Sequence, residues 1–481
     1  MNKSEFFQRL QAHAKTGATI SDDRNSIGYD ELLQRVENLS YWLQQQDIQR
    51  LGLLADNSLA WLLVDLAALH AGITLVPVPP FFTKPQQQQL LEHAQVNHLF
   101  SDQPALDAGW QAQTIDTQLS LQLYCQNGPS AAADSCKITY TSGSTAAPKG
   151  VRLNEQVLFN TVAAIDQVLP LTIACRHLCI MPLAVLLENI AGVWLALWRG
   201  MTIHLPSPLS IGLHGSSQLN LAQFWQALTN YAADSLITTP ALAAAVLQGV
   251  ASGVLNASQF SFIAVGGAAV PAQLLNQAAA VGLPIYQGYG LSECGSVVTL
   301  NTPAANRPGT VGKALPGLTL HLHDGELLVS GKAMDGYLGT EAPPSIIATG
   351  DLASCDDDGF ITIYGRKSNL LITSFGRNIS PEWPENLAAH SAYWSQFMVC
   401  GDGYPGLVAL LTPTAEASSM AIDEAIKQLN EQLPDYAQIT AWIATNEPFS
   451  QENQQLTFNN RFRRAHIVAA YRNQLDAIFG G

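Results

Sequence analysis

The stretch ITYTSGSTAAPKGV, Ile138 to Val151, gathers hydroxyls, glycines and a lysine into one short segment. It opens as a run of β-formers and breaks at Thr141, Ser142, Gly143, Ser144 and Thr145 before reaching Lys149. Glycine lets the backbone come close to a ligand, hydroxyl and N–H groups donate hydrogen bonds, and Lys149 adds a mobile positive charge. That is the composition of an anion cradle, and above all of a phosphate cradle. The GxxxxGK[ST] spacing is absent, so the usual P-loop fold does not follow. Taken alone, the same stretch also reads as a Ser/Gly linker.

Two further blocks carry complementary chemistry. In YQGYGLSECG, an apolar run ends in Gly288, Tyr289 and Gly290, followed by Ser292 and Glu293. Tyr289 could lie against a purine, Ser292 could donate to a phosphate, and Glu293 could hold Mg²⁺ in an oxygen shell. By itself this block is equally a strand-end turn with a polar rim. The third block places Asp351 beside Gly350 and Arg366 beside Gly365. A carboxylate can accept both hydroxyls of a ribose, and an arginine fork can bridge ribose and phosphate oxygens. The run Asp356, Asp357, Asp358, Gly359 between them reads as a solvated hairpin turn.

These residues need elements to hold them, and the chain is long enough to supply several. Its 481 residues suggest two to four packed units, and 47% hydrophobic with 13% charged residues fits a well-buried globular enzyme. A formal net charge of −15 argues against nonspecific binding to nucleic acid or an anionic membrane. Apolar strands alternate with helices around residues 51–79 and again from SLITTP to PIYQGYG, which implies a mostly parallel, doubly covered sheet. From about residue 309 to 366 the texture turns to short strands and glycine turns, as in a small β-barrel-like subdomain. The expected architecture is therefore α/β: an N-terminal domain over 1–366 and a small, mobile α+β domain over 367–481.

The N-terminus lacks the apolar core of a signal peptide, and charged residues interrupt or bracket every long apolar run. A cytoplasmic protein with at most peripheral membrane contact is expected. The seven scattered cysteines read as reduced thiols. Cys175, His177 and Cys179 form one cluster without a second pair, too little to argue a metal site.

In this order and at these separations, the three blocks resemble the adenylate-forming superfamily: acyl-CoA synthetases, aryl-CoA ligases, the adenylation domains of peptide synthetases, and luciferases. YQGYGLSE, ITSFGRNISPE and the tail from Phe449 look most like fatty acyl-CoA synthetases. The resemblance implies that ATP and a carboxylic acid, medium or long-chain, form an acyl-adenylate, which coenzyme A or a pantetheinyl carrier protein then takes over. It implies that Thr141, Ser142, Gly143, Ser144, Thr145 and Lys149 cradle pyrophosphate. Gly266 and Gly267 would lie beside adenine and the acyl carboxylate, next to Gly288, Tyr289 and Gly290. Ser292 would meet the α-phosphate, Glu293 with Thr141 the magnesium, and Asp351 with Arg366 the ribose. Ser368 would be the hinge of the mobile domain, and Gly376 would line the pantetheine tunnel.

The family pattern is broken in several places. Ala146 replaces a usual glycine, Val185 stands where a histidine is usual near the acyl site while Glu188 is kept, and Ser368 replaces Asp or Lys. In LTFNNRFRR, Arg461 occupies the place of the adenylation lysine, with Arg463 and Arg464 close behind. Arginine keeps the charge, but its planar fork is bulkier than an ammonium. Three readings follow: a working acyl-CoA synthetase, a pathway ligase that loads a carrier protein or runs mainly the thioester half-reaction, and a degenerate nucleotide-binding protein that is not an enzyme.

Overall fold

The computed structural model describes residues 1–113, 119–128, 131–141, 149–170, 175–214, 218–331, 333–340, 345–374, 378–389, 391–457 and 461–479. The chain forms two compact units. One comprises Met1–Ala268, Asn276–His321 and Val329–Ile347; the other comprises Ala269–Leu275, Leu322–Leu328 and Ala348–Gly481. Residues 348–366, expected to belong with the N-terminal domain, thus cluster with the later part of the chain. The β-rich stretch forms a four-stranded sheet in chain order: Leu318–His323, Glu326–Gly331, Ile346–Cys355 and Ile361–Arg366.

Two α/β sheets build the first unit. In one, the strands Thr202–His204, Arg176–Leu178, Ser235–Thr238, Phe262–Val265 and Ile285–Tyr289 lie side by side and parallel. In the other, His98–Ser101, Arg50–Leu54, Thr74–Pro77 and Lys137–Thr141 are parallel, and Lys149–Leu153 closes the edge antiparallel. This agrees with the alternation in the sequence, and the first two expected blocks begin at strand ends of these sheets, whereas Asp351 lies mid-strand in an antiparallel pair.

The helix Leu59–Ala71 shows how the first unit is held. Its sequence, LAWLLVDLAALHA, is apolar all round, and the helix is accordingly buried all round. Ser58 caps it by accepting from the Trp61 N–H, and Gly72, at φ 74°, ends it in the left-handed conformation. The helix carries one acid, Asp65, which is 1% exposed and faces Lys137, also 1% exposed. The Lys137 ammonium donates to Asp65 Oδ1 and Asn189 Oδ1, while Asn189 Nδ2 and Trp194 Nε1 both donate to Asp65 Oδ2 at 2.8 Å. The ammonium also lies 4.9 Å from the centre of the Trp194 ring. A buried charge survives only when paired and bonded in this way.

In the second unit, strands Trp394–Cys400, Leu407–Pro413 and Ile439–Ala444 form a sheet whose side chains alternate between two cores. Phe397, Val399, Leu407, Ala409 and Leu411 pack with Ile422, Ile426 and Leu429 of the helix Ser419–Asn430. Met398, Cys400, Val408 and Leu410 pack with Ile467, Tyr471 and Leu475 of the helix Arg464–Phe479. The acidic run makes the expected hairpin turn, with Gly359 at φ 85° and Asp356 Oδ1 accepting from the Asp358 and Phe360 N–H groups. No helix among the described residues is long and apolar enough to cross a membrane, and all seven cysteines are free.

Because the Lys137 ammonium is sealed in the core, Asp65→Asn should destabilise the first unit by about 3–5 kcal/mol, the cost of orphaning a buried charge. The double change Asp65→Asn with Lys137→Met should recover most of that loss, since it removes the orphaned ammonium and keeps an amide oxygen for the Asn189 and Trp194 donors. Denaturant titration followed by tryptophan fluorescence, to which Trp61 and Trp194 at the network contribute, checks both. A double variant weaker than the single would refute the assignment.

Candidate functional site

The phosphate-type loop leaves the strand Lys137–Thr141 and returns at the strand Lys149–Leu153, with Thr141 and Lys149 directly paired. The expected cradle residues Ser142, Gly143, Ser144 and Thr145 lie outside the described residues, as does Gly376, and of Thr141 only the backbone is described. Lys149 is exposed at the returning end. Alongside this strand runs the segment 334–338. Leu338 N–H donates to Gly150 O at 2.7 Å, Arg152 N–H to Gly336 O at 3.0 Å, and Asp335 N–H to Arg152 O at 2.8 Å. The Arg152 guanidinium fastens the same segment by donating to Asp335 O at 2.9 Å and Thr340 O at 3.3 Å.

Glu293 sits on the 3₁₀ turn Ser292–Cys294 that follows the strand Ile285–Tyr289. The turn is tight. A side chain at Gly290 would lie 1.7 Å from Ser296 O, so only glycine fits there, and Gly295 at φ 73° closes it. Glu293 Oε1 accepts from the Tyr337 hydroxyl at 3.0 Å, and Glu293 O accepts from Met334 N–H at 2.8 Å. Among the described residues, none donates to Glu293 Oε2. Burial, then the Glu293 charge, pushes the Tyr337 phenol up to about 12, so it remains a neutral donor. Burial and Glu293 also push the adjacent Cys294 thiol up to about 12, which keeps sulfur out of the donor set.

One carboxylate oxygen held by a phenol, with the other open, suits a hard ion that keeps much of its water shell and takes phosphate oxygens, as magnesium does. No group of three or more His, Cys, Asp or Glu side chains able to hold a metal occurs among the described residues. An all-protein cage is therefore not what this turn offers.

Beside the turn, strand Phe262–Val265 ends in Gly266 and Gly267, the first buried and the second exposed at φ 77°. A side chain at Gly266 would lie 3.3 Å from Gly288 O, so two neighbouring strand ends meet here through glycine. Tyr289 and Ser292 are half-buried close by in the chain, while Gly290 is exposed. Six of the expected nucleotide-side residues thus fall on adjacent strand ends of one sheet.

The acyl-side expectations come out differently. Val185 is half-buried, but Glu188 is 0% exposed. Its Oε1 is 2.8 Å from His177 Nε2 and its Oε2 accepts from Met181 N–H at 3.3 Å. In this arrangement the Glu188 carboxylate is committed to protein groups. His177, whose Nδ1 lies 3.2 Å from Ser235 Oγ, is its missed partner. Only one local sign could have suggested the pair: Gly192, one turn on, where a side chain would sit 2.2 Å from Glu188 Oε1 and 2.8 Å from His177 Nε2. Cys179 is buried with its thiol directed to Met181 O, and nothing joins it to His177 as a metal pair among the described residues.

In the second unit, Asp351 and Arg366 face each other across antiparallel strands. Arg366 Nε lies 2.8 Å from Asp351 Oδ1, and another guanidinium nitrogen donates to Thr349 O at 2.8 Å. Asp351 is buried and Arg366 exposed, so the pair presents a preformed mixed donor and acceptor edge. Ser368 lies exposed in the turn Lys367–Asn369.

The three arginines of the tail separate. Leu456 bridges to Phe462, and Thr457 exchanges hydrogen bonds with Arg461 at 2.8 and 3.0 Å, which fixes the backbone that presents Arg461. Much of the Arg461 side chain is exposed. Its guanidinium still has enough protein around it that desolvation, then the like charge of Arg366, lowers its pKa from the ordinary value, with Asp351 opposing. Arg461 therefore shares its surroundings with the ribose-type pair. Arg464 instead makes a two-pronged bond to Glu385, at 2.7 and 2.5 Å, and donates to Val399 O at 3.2 Å. Arg463 is exposed.

A family model described as AMP-binding enzyme matches residues 6–338, and one described as AMP-binding enzyme C-terminal domain matches 368–481. The long-chain-fatty-acid–CoA ligase FadD15 of Mycobacterium tuberculosis is 32% identical over 247 residues, 44% of this chain and 41% of that protein. The chain thus matches about two fifths of the length of that ligase. The 2-succinylbenzoate–CoA ligase of Escherichia coli is 29% identical over 407 residues, 81% of this chain and 82% of that one. Among solved structures, the o-succinylbenzoate coenzyme A synthetase of Bacillus subtilis, in complex with ATP and magnesium, superposes with a TM-score of 0.76 at 20% identity, covering 96% of this chain and 98% of that one. That likeness confirms the α/β architecture with its separate C-terminal domain. With a family match over well more than half its length, this chain belongs to the AMP-binding enzymes.

Proposed function

We propose that the protein is an AMP-forming acid–thiol ligase that activates a medium or long-chain fatty acid with ATP and passes the acyl group to coenzyme A. The observation that carries this reading is the clip between Lys149, at the start of the strand Lys149–Leu153, and the Glu293 turn. Lys149 and Glu293, a cation for phosphate oxygens and a carboxylate with an open oxygen, are held about one phenol ring, that of Tyr337. Fatty acid is favoured over other acids by the FadD15 match, the strongest in identity of the relatives described. A cytoplasmic setting is supported by seven free cysteines, which an oxidising compartment would tend to pair.

The chemistry divides into two displacements. A carboxylate oxygen attacks the α-phosphorus of ATP, the bond to the bridging oxygen breaks, and pyrophosphate leaves. The sulfur of coenzyme A then attacks the acyl carbonyl, its thiol proton passing to solvent, the acyl carbon–oxygen bond to phosphate breaks, and AMP leaves. No protein nucleophile is needed, so positioning and charge neutralisation supply the rate. Lys149 neutralises charge on the departing pyrophosphate, Asp351 and Arg366 hold the ribose, and Ser292 donates to the α-phosphate. When bound, magnesium neutralises phosphate charge, and Glu293, with Thr141 by resemblance, would hold it. The loops around Gly266, Gly267 and Val185 are assigned to the acid, and Gly376 to the pantetheine arm.

Arg461 favours a second reading of the first step. A planar, forked guanidinium imitates a compact ammonium poorly in a tight site, so adenylation should be slow relative to thioester formation. A ligase that serves a carrier protein, or that mainly uses a preformed adenylate, would show this imbalance.

With a panel of acids, ATP, magnesium and coenzyme A, pyrophosphate release and mass spectrometry should reveal acyl-CoA and AMP from one chain-length class. Absence of any acid-dependent pyrophosphate, across the panel and with or without coenzyme A, would overturn the assignment. Lys149→Ala should cut kcat/KM by roughly 10²–10³-fold, as for loss of one charge-stabilising donor. Arg461→Lys should raise the adenylation rate by roughly tenfold, about 1.4 kcal/mol of barrier, while leaving thioester formation from synthetic acyl-adenylate unchanged. Equal rates in both half-reactions before and after the change would remove the case for an impaired first step.

A further inference from the structure

Tyr337 lies in DGYLGT, a glycine-punctuated stretch with no chemistry legible in its sequence. Its position in the fold is different in kind. Gly336, at φ 106°, turns the chain just before it, in a conformation that favours glycine. Tyr337 then bridges antiparallel to Val151, two residues beyond Lys149. Gly150 makes the approach possible, since a side chain there would stand 3.1 Å from the Tyr140 ring and 3.3 Å from the Leu338 Cβ. Arg152 of this strand and Asn154 just beyond it secure the segment, Asn154 Nδ2 by donating to Asp335 Oδ1 at 2.5 Å.

Held this way, one side chain meets two opposite charges through two different parts of itself. Its hydroxyl donates to Glu293 Oε1 at 3.0 Å, and its ring lies 5.3 Å from the Lys149 ammonium. The electron-rich face of an aromatic ring attracts a cation, and the hydroxyl at the ring's edge can donate to an anion. Among the described residues, Lys149 and Glu293 each meet Tyr337 and no ion pair joins the two. Direct pairing would cancel the two charges that a phosphate and a metal need, and the intervening phenol keeps them near one another and separate.

The geometry points to Tyr337 as a positioning residue for the nucleotide reaction: by bonding Glu293 Oε1 it reserves Oε2 for the magnesium of ATP, and by its ring it holds Lys149 toward the phosphates. This rests on the ligase reading above and adds to it a residue that no motif contained. The two halves of the side chain act on different ligands. Removing the hydroxyl should therefore affect the metal alone, whereas removing the ring should affect the phosphates as well.

Tyr337→Phe and Tyr337→Leu in the full chain separate these effects. ATP binding is measured by calorimetry without acid, so that nothing turns over, across a magnesium series and in EDTA. The Phe variant should need roughly tenfold more magnesium for half-maximal tightening of ATP binding, in line with the loss of a hydrogen bond to a charged group. Its affinity in EDTA should match the wild type. The Leu variant should lose affinity in both conditions. In a Glu293→Gln background, Tyr337→Phe should have no further effect on the magnesium requirement. A Phe variant with the wild-type magnesium requirement overturns the inference, as does one that weakens equally with and without magnesium, since that would mark a role in folding alone. If the wild type binds no ATP at any magnesium concentration, the ligase reading itself fails and takes the inference with it.

Discussion

An ammonium ion sealed inside a protein has to be met by a carboxylate and further acceptors, and in this chain that requirement fixes three elements at once. Lys137 begins the strand that runs to Thr141, Asp65 lies mid-helix in Leu59–Ala71, and Asn189 and Trp194 lie on the helical turns Leu187–Trp194. Each is needed to satisfy the others, so the strand that delivers the phosphate-type loop has little freedom to slide. Such a network adds little net stability compared with an apolar core of the same shape. What it supplies is register, and register at the start of a strand becomes position at its end.

The same economy governs the second unit. Arg464 begins the helix Arg464–Phe479, a place where the helix dipole disfavours a cation, and its two-pronged bond to Glu385 more than compensates. That bond draws the start of the helix to the backbone of Val399, which both donates to Glu385 and accepts from Arg464. Arg461, three residues earlier, is positioned by this anchorage and by its backbone bonds to Thr457. The cluster of cations in an acidic chain therefore splits into a structural arginine and one beside the Asp351 and Arg366 edge.

Much of this was legible in the sequence where the signal was local. Glycines, hydroxyls and charges within a few residues marked the Thr141 to Lys149 loop, the Glu293 turn and the Asp351 and Arg366 strands. Alternating apolar runs marked the parallel sheets. What escaped were pairings made by the fold. His177 and Glu188 meet across a strand and a helix, Glu385 and Arg464 are 79 residues apart, and Tyr337 acquires its partners only when its segment lies beside Val151. Glu188 is the instructive case: its retention in a family motif suggested a substrate contact, yet an acid beside an apolar helix finds its partners inward when a histidine waits there.

The segment Leu187–Trp194 is wound as a π-helix, an α-helix that has absorbed one additional residue into its turn. Glu188 and Asn189, neighbours in the chain, both point into the core but serve separate buried networks, one with His177 and one with Asp65 and Lys137. An ordinary α-turn would change the register between Asn189 and Trp194, which both donate to the same Asp65 oxygen. The extra residue thus acts as a spacer that brings both donors to one carboxylate while Glu188 meets His177. Shortening this helix by a single residue would leave a perfectly good helix and an unsatisfied protein.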